Sequence, residues 1–219
     1  MAERLRIAVN TGGGDAPGLN AVLYGVTMAA YQRGWEVLGI PSGYAGLLDT
    51  SKIVQLTPDR VAGIVSQGGT ILGTTNRGDP FRFPVPAADG TVDYRDVSDR
   101  LIENFNRLGL DLMIAVGGDG SLTLANRLSQ KGMPVIGVPK TIDNDLEGTV
   151  ATFGFDTAVT TATEAIDKLH STAAAHERVM VVEVMGRYAG WIALNSGTSG
   201  SADAILIPEI PFDIDKVCR

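Results

Sequence analysis

The sequence has little cysteine and histidine and no long hydrophobic run. Cys218 is its one cysteine, so an internal disulfide is excluded and a reduced, intracellular setting is expected. The two histidines, His170 and His176, have no metal-ligand pattern around them. No apolar run reaches the ~18 residues of a membrane span, and the N-terminus lacks the hydrophobic region of a signal peptide. These absences predict a cytoplasmic protein with no membrane partner.

Basic residues are also scarce. The chain of 219 residues carries 18 Lys and Arg against 25 Asp and Glu, for a net charge of −7. This acidic balance argues against a nucleic-acid partner, although a local basic patch can still bind phosphorylated metabolites. Glycine, in contrast, is abundant, with 27 residues. It recurs at the ends of apolar runs, which indicates functional turns.

Short apolar runs alternate with helix-length segments. Several of the runs are continuous, as in strands that are buried on both faces. The pattern predicts an α/β fold with mostly parallel sheets covered by helices. The predicted strands are Leu5–Val9, Val37–Ile40, Leu112–Val116, Val135–Val138, Val179–Val184 and Ala204–Ile207, and the predicted helices are Gly18–Arg33, Ser98–Leu108, Ser121–Lys131 and Asp156–Ala175.

Three other segments bear on the organisation of the chain. The proline-containing segment 73–96 predicts a long surface connection. The polar stretch 144–152 lies between two strand–helix series and predicts a domain change near residue 150, giving domains 1–150 and 151–219. A helix is predicted to begin near Phe212, and because it has little room to pack, we expect a truncated product.

Two predicted strands run into glycine-rich segments. The first is followed by Thr11–Gly18, Thr-Gly-Gly-Gly-Asp-Ala-Pro-Gly, which fits neither the dinucleotide fingerprint nor a Walker A loop. Its glycines suit a phosphate at a helix N-terminus, or simply a tight turn. The third strand is followed by Gly117–Ser121, in which Asp119 is a candidate Mg²⁺ ligand. A helix cap is the alternative for Asp119.

Two further strand ends are rich in polar groups. Lys140–Asp145 contains two carboxylates, a hydroxyl and an ammonium. Phosphoryl transfer needs groups that position the reactants, neutralise charge and act as a base, and Asp143 is the candidate base. The alternative is that the segment simply forms an Asx turn. Arg178 and the segment Met185–Trp191 flank the fifth predicted strand. An arginine there is a candidate clamp for a phosphate, or the partner of an acid such as Glu183.

The four motifs together resemble the 6-phosphofructokinase family. They are Gly-Gly-Asp-Ala-Pro-Gly, Gly-Gly-Asp-Gly-Ser, Pro-x-Thr-Ile-Asp-Asn-Asp and Met-Gly-Arg-Tyr, in this order and across the whole chain. The resemblance implies two similar α/β domains with the active site in the cleft. It also implies a homo-oligomer, a dimer or a tetramer, whose active sites are shared between subunits. The reaction implied is transfer of a phosphoryl group from MgATP to the 1-hydroxyl of fructose 6-phosphate, a step of glycolysis.

The resemblance also implies a role for each matching residue. The catalytic set is Asp143 as the proton acceptor, supported by Thr141, Lys140 and Asp145. The donor would contact Gly13, Gly14, Arg77, Gly118, Asp119, Gly120 and Ser121, with Mg²⁺ on Asp119. The sugar phosphate would contact Thr141, Ile142, Asp143, Met185, Gly186 and Arg187, and Arg178 would reach the site of a neighbouring subunit.

The identity of the donor rests on two residues. In the resembled family a glycine after the metal aspartate goes with ATP, whereas an aspartate there favours pyrophosphate. Gly120 therefore indicates ATP, whereas Lys140 stands where pyrophosphate enzymes have lysine. A lysine does not exclude a nucleotide, so ATP is preferred and pyrophosphate is the alternative. A regulatory or nucleotide-binding subunit without catalysis is the alternative of another class.

Two features of the family are not matched. The arginines of the bacterial effector site correspond here to Tyr24, Met28, Gln67 and His170, so we expect regulation by ADP or phosphoenolpyruvate to be absent. A further substrate-binding segment, His-x-x-Arg-Gly-Gly, would lie beyond residue 219. The chain alone is therefore expected to bind a donor and to lack full catalysis.

Overall fold

The computed structural model describes residues 4–87 and 90–218 and divides the chain into two compact units, Met1–Lys140 and Thr141–Arg219. The strands are β1 Arg6–Thr11, β2 Glu36–Ile40, β3 Val54–Leu56, β4 Phe83–Pro86, β5 Val92–Arg95, β6 Leu112–Gly117, β7 Val135–Thr141 and β8 Phe153–Gly154. The helices are α1 Leu19–Gln32, α2 Ser98–Arg107, α3 Asp119–Gln130, α4 Phe155–His176, α5 Trp191–Ser199 and α6 Ile214–Val217. Short 3-10 turns cover Gly43–Leu47 and Thr50–Lys52. The predicted domains 1–150 and 151–219, with their functional assignments, stay a prediction.

The first unit is built on a mostly parallel sheet, as the apolar runs predicted. Its strands lie in the order β3-β2-β1-β6-β7. β1 pairs in parallel with β2 and with β6, and β6 pairs in parallel with β7. The edge strand β3 is antiparallel to β2. This topology brings the carboxyl ends of β1, β6 and β7 to one edge of the sheet, together with the glycine-rich segments that follow β1 and β6 and with Lys140 near the end of β7.

Each face of this sheet is covered by its own apolar cluster. Alternate residues of a strand point to opposite faces, and Ala8 belongs to one cluster whereas Ile7 and Val9 belong to the other. The Ala8 cluster includes Leu101 and Phe105 of α2. The opposite cluster includes residues of α1 and of the segment 56–72. Burial on both faces explains why the strands read as continuous apolar runs.

Four predicted helices form within one or two residues of their predicted bounds. α1 begins after Gly18, whose φ of +96° is a left-handed conformation, and the chain leaves the helix through Gly34 at φ +70°. Glycine adopts these angles without the Cβ clash that other residues meet. The helix expected near Phe212 is α6, in which the Asp213 side chain accepts a hydrogen bond from the Asp215 amide.

The segment 73–96 differs from the predicted irregular connection. Apart from residues 88 and 89, which lie outside the described residues, it contains an antiparallel pair formed by β4 and β5. Proline content predicts a loop, but Pro84 and Pro86 are tolerated in β4 because a two-stranded ribbon leaves alternate amides without a ladder partner.

The strands predicted over 179–184 and 204–207 are not formed in the described part of the second unit. Val179 and Val181 are 91% and 90% exposed. Apolar content alone indicated these strands, but a strand also needs a neighbour that accepts its backbone hydrogen bonds, and neither run has one among the described residues. The second unit consists mainly of α4 packed against α5, and the segment 177–190 that joins them contains neither helix nor strand.

Candidate phosphate-binding site

The glycine-rich loop after β1 is tightly packed at Gly12. The Gly12 amide donates to the Val116 carbonyl of β6 at 2.8 Å. A Cβ at Gly12 would lie 2.7 Å from the Ser121 hydroxyl oxygen, and a Cβ at Gly117 would lie 2.3 Å from the Ser121 Cβ. Gly117 is therefore required by the close approach of the first turn of α3, whatever the ligand, whereas a side chain at Gly12 would force the Ser121 hydroxyl to turn away.

Tyr44 fixes this turn of α3 from the side of the core. Its hydroxyl donates to the Ser121 carbonyl at 2.9 Å, and only 5% of the residue is exposed. Burial raises the pKa of the Tyr44 phenol well above its ordinary value. The phenol thus stays protonated and keeps donating its hydrogen bond at neutral pH.

A threonine-rich segment holds the loop from the other side. The Gly13 amide donates to the Thr75 carbonyl at 3.1 Å, and the Thr74 hydroxyl donates to the Gly13 carbonyl at 2.6 Å. Two residues before Gly13, at the end of β1, the Thr11 hydroxyl donates to the Gly73 carbonyl at 2.9 Å. Gly13 itself has φ +82°. Its amide is already used, so a phosphate would be bound by other amides of the loop.

Lys140 reaches the same loop from the end of β7. It is 3% exposed, and its ammonium donates to the Gly14 carbonyl at 2.5 Å. The structure therefore brings Gly13, Gly14, Ser121 and Lys140 together, and their predicted roles stay predictions. The backbone of Arg77 is tied to Thr75 by an amide-to-hydroxyl bond of 2.9 Å, and its side chain is exposed.

Asp119 and Gly120 form the first residues of α3, after Gly118 as the N-cap residue. Asp119 is exposed, and in the described part of the chain its carboxylate makes no hydrogen bond or ion pair, so the alternative of a capping aspartate is not supported. A Cβ at Gly120 would have no neighbour within 4 Å. Packing therefore requires glycine at position 117 but not at position 120.

In the second unit a hydrogen-bonded turn carries the predicted base. The Asp143 amide donates to the Thr141 hydroxyl at 3.1 Å, and Asp143 is half-buried. Thr152 braces the turn, because its hydroxyl donates to the Thr141 carbonyl at 2.7 Å and its amide donates to the Asn144 side chain at 2.9 Å. The Asn144 side chain therefore bonds across the turn instead of closing an Asx turn. Ile142, between the two bonded residues, is half-buried, and Asp145 is exposed.

Three of the predicted sugar-phosphate residues of the second unit, Arg178, Met185 and Arg187, are exposed. Arg178 follows the C-cap of α4, Glu177, at φ +51°. It makes no ion pair with Glu183 among the described residues. Met185 is 72% exposed and Arg187 is also exposed. Between them Gly186 has φ +147°, and its Cβ would lie 2.2 Å from the Ala189 carbonyl oxygen, so the turn requires glycine.

Three further features lie outside the predicted site. His170 forms a 2.6 Å hydrogen bond with the Gly200 carbonyl, which satisfies its ring. Cys218 is exposed and forms no disulfide. Within residues 4–87 and 90–218, no group of three His, Cys, Asp or Glu side chains is arranged for a metal, and no helix is both long and apolar enough to cross a membrane.

Sequence reasoning missed the residues that support the loop and the first turn of α3, namely Thr11, Tyr44, Thr74 and Thr75, the last through its backbone carbonyl. The Thr74–Gly13 bond spans 61 residues and the Tyr44–Ser121 bond spans 77. No local spacing signals such contacts, because they depend on which strands become neighbours. The one available signal was the threonine content of 70–75, beside the glycines of the same segment.

Comparisons with known proteins identify the family to which the chain is similar. The profile of the Phosphofructokinase family matches residues 6–219. ATP-dependent 6-phosphofructokinase 2 of Clostridium perfringens is 54% identical over 97% of this chain and 58% of its own length. ATP-dependent 6-phosphofructokinase of Chloroflexus aggregans is 53% identical over 100% of this chain and 60% of its own length. The chain thus spans less than two thirds of these relatives.

Solved structures agree on the fold. Phosphofructokinase of Saccharomyces cerevisiae matches with a TM-score of 0.79 and 34% identity, over 94% of this chain and 29% of that one. The pyrophosphate-dependent phosphofructokinase of Marinobacter aquaeolei matches with a TM-score of 0.75 and 28% identity, over 97% and 55% of the two chains. On the family match, the relatives and the shared fold, the chain belongs to the phosphofructokinase family.

Proposed function

We propose that the protein transfers a phosphoryl group from MgATP to the 1-hydroxyl of fructose 6-phosphate and so forms fructose 1,6-bisphosphate. The observation that carries the proposal is the glycine-rich loop, held by Thr74 and Lys140 beside the N-terminus of α3. Amides at such a loop and the positive end of a helix dipole both favour a phosphate. The curated relatives bear names that specify ATP as the donor.

On the donor side, the phosphates lie against Gly13–Gly14 and Gly118–Ser121, and Arg77 contacts the nucleotide. Open space around Gly120 supports ATP, because a longer phosphate chain needs room that an aspartate side chain would fill with negative charge. Lys140 neutralises charge that develops on the transferred group.

The donor set at Asp119 fits Mg²⁺. Magnesium is usually held by one or two carboxylates together with substrate phosphates, and Asp119 is an exposed carboxylate with no partner in the described part of the chain. A site with one protein carboxylate also agrees with the lack of a three-ligand cluster among the described residues. When bound, the ion neutralises phosphate charge.

On the acceptor side, Asp143 takes the proton of the sugar 1-hydroxyl. The freed oxygen forms a bond to the γ-phosphorus as the bond to the ADP oxygen breaks, so the proton ends on Asp143 and the electron pair on ADP. Thr141 orients the transferred group, and Asp145 orders the metal or a water. Ile142, Met185, Gly186 and Arg187 contact the sugar phosphate.

We further propose a cytoplasmic homo-oligomer, a dimer or a tetramer. Arg178 would serve the sugar-phosphate site of a neighbouring subunit. Its support is that the side chain is exposed and makes no ion pair among the described residues, so the guanidinium is available for bidentate binding of a phosphate.

Pyrophosphate is the second candidate donor. Lys140 favours it, since an ammonium beside the loop can balance the charge of a short inorganic donor, which is concentrated on few atoms. A pyrophosphate-dependent phosphofructokinase is also among the structural neighbours. Gly120 and the names of the relatives weigh more, so ATP is preferred.

The test supplies the intact protein with fructose 6-phosphate and Mg²⁺, offers ATP or pyrophosphate separately, and measures fructose 1,6-bisphosphate. We expect product with ATP and none with pyrophosphate. Product with pyrophosphate alone would reverse the assignment of the donor. Binding of MgATP with no turnover would favour a nucleotide-binding subunit without catalysis.

A further inference from the structure

Both carbonyls of the Gly13–Gly14 turn are held from outside the loop. The Thr74 hydroxyl donates to the Gly13 carbonyl at 2.6 Å, and the Lys140 ammonium donates to the Gly14 carbonyl at 2.5 Å. A carbonyl oxygen is a hydrogen-bond acceptor and repels an anionic ligand. Turning both oxygens toward protein donors therefore removes an obstacle to binding a phosphate.

The same bonds set the direction of the amides that follow. The peptide bond is planar, and its C=O and N–H groups point in opposite directions when the bond is trans. The described chain has no cis peptide bond. Consequently the Gly14 amide points away from Thr74, and the Asp15 amide points away from Lys140.

These two amides also remain available. The Gly12 amide donates to Val116 and the Gly13 amide donates to Thr75. Over residues 4–87 and 90–218, neither the Gly14 nor the Asp15 amide has an acceptor. The loop thus presents two successive free amides just before α1, and the direction of the first depends on the hydroxyl of Thr74.

We propose that Thr74 is a positioning residue for the phosphate donor, acting through the Gly13 carbonyl. This inference rests on the proposed function, which assigns the donor to this loop. Without the hydroxyl, the Gly13–Gly14 peptide can rotate, and the Gly14 amide no longer has a fixed direction before the donor arrives. The donor must then meet the cost of ordering the loop, which lowers its affinity.

The test uses three variants of the intact protein. Thr74→Val replaces the hydroxyl by a methyl group of similar size, and Thr74→Ser keeps the hydroxyl. Thr27→Val is the matched control, because the Thr27 hydroxyl also donates to a backbone carbonyl, that of Leu23 at 2.7 Å, within α1. The dissociation constant of MgATP is measured calorimetrically, and KM for each substrate and kcat are measured by product formation.

For Thr74→Val we expect the dissociation constant and the KM of the donor to rise about tenfold, because donor binding must then order the loop without the help of one hydrogen bond. The KM of fructose 6-phosphate should stay within about twofold of the wild-type value, as a purely local loop effect requires. Thr74→Ser should restore the affinity, and Thr27→Val should bind MgATP like the wild type.

Equal donor affinity in Thr74→Val and Thr27→Val, or no rescue by serine, would overturn the proposal. If the wild type uses pyrophosphate, the affinities of the Thr74 and Thr27 variants are compared for pyrophosphate instead of MgATP. The proposal then stands or falls in the same way, because the amides recognise phosphate. A wild type that binds MgATP without turnover refutes the proposed reaction alone, and the binding data still decide the role of Thr74. A wild type that binds neither donor refutes both.

Discussion

The two units differ in how their predicted site residues are held. In the first unit the loop is fixed by bonds from Thr74, Thr75 and Lys140, above a sheet buried on both faces. In the second unit the 22-residue helix α4 has no buried residue. Met185 and Arg187 are exposed. If the proposed roles hold, the fold preorganises the proposed donor site, whereas the proposed acceptor residues Met185 and Arg187 are ordered only when a ligand or partner binds them.

The turn at Asp143 is the exception within the second unit, and its substitution should give the largest effect. Asp143→Ser removes both the proposed base and its charge, so we expect turnover to fall by about 10³-fold or more, while sugar binding changes little. Steady-state kinetics with saturating MgATP measures this effect. Glu147→Gln, at an exposed carboxylate nearby, is the control and should keep wild-type turnover. A loss below about tenfold for Asp143→Ser would refute the role of a base.

The difference in packing predicts a difference in stability. Leu101 is fully buried in the first unit, and Val181 is 90% exposed in the second. Leu101→Ala should lower the free energy of unfolding by about 3 kcal/mol, because it leaves a cavity. Val181→Ala should change it by less than about 0.5 kcal/mol. Urea unfolding of the intact protein checks both values, and a large loss at Val181 would mean that the exposed segment is buried in the folded protein.

The contrast between the two units also shows which parts of the fold can be predicted from the sequence alone. Continuous apolar runs predicted the strands β1, β2, β6 and β7, since parallel strands buried on both faces must be apolar throughout. The same rule failed at 179–184, where the described chain offers no neighbouring strand. Glycine patterns located the loop at Gly12–Gly14, but not its supports. Thr74 and Tyr44 act across 61 and 77 residues, and only the order of strands in the sheet brings them there.

Gly120 allows the donor site to be tested without disturbing the packing of the first unit. No atom lies within 4 Å of a Cβ at this position, and Gly120 is not among the glycines with positive φ. Gly120→Asp should therefore fold normally and weaken MgATP binding about tenfold or more, because a carboxylate is added beside the phosphates. Calorimetric titration of MgATP measures the change, with Gly120→Ala as the uncharged control. Unchanged affinity in Gly120→Asp would refute the assignment of ATP to this position.

The smallest effect we predict compares two tyrosines, one in each unit. Burial raises the pKa of Tyr44 above the ordinary value of about 10. When folding raises the pKa of a group, the stability that this group contributes is fully present below the pKa of the unfolded chain. That contribution is lost as the pH rises from the unfolded pKa toward the folded pKa. The stability of the wild type should therefore fall above about pH 10, with Tyr44 adding up to about 1.4 kcal/mol per pH unit to the slope.

Tyr44→Phe removes both the titrating group and the hydrogen bond to the Ser121 carbonyl. At pH 8 the variant should be less stable than the wild type by about 1 kcal/mol, the usual net value of such a bond. Between pH 10 and 11 this gap should close, because only the wild type must keep a phenol protonated in the core. Tyr188→Phe is the control, since Tyr188 is 82% exposed, and at pH 8 it should change the free energy of unfolding by less than about 0.5 kcal/mol. A constant gap for Tyr44→Phe in urea unfolding at pH 8 and pH 11 would mean that the phenol is not enclosed, and that the turn of α3 at Ser121 is less rigidly held than the comparison of the two units requires.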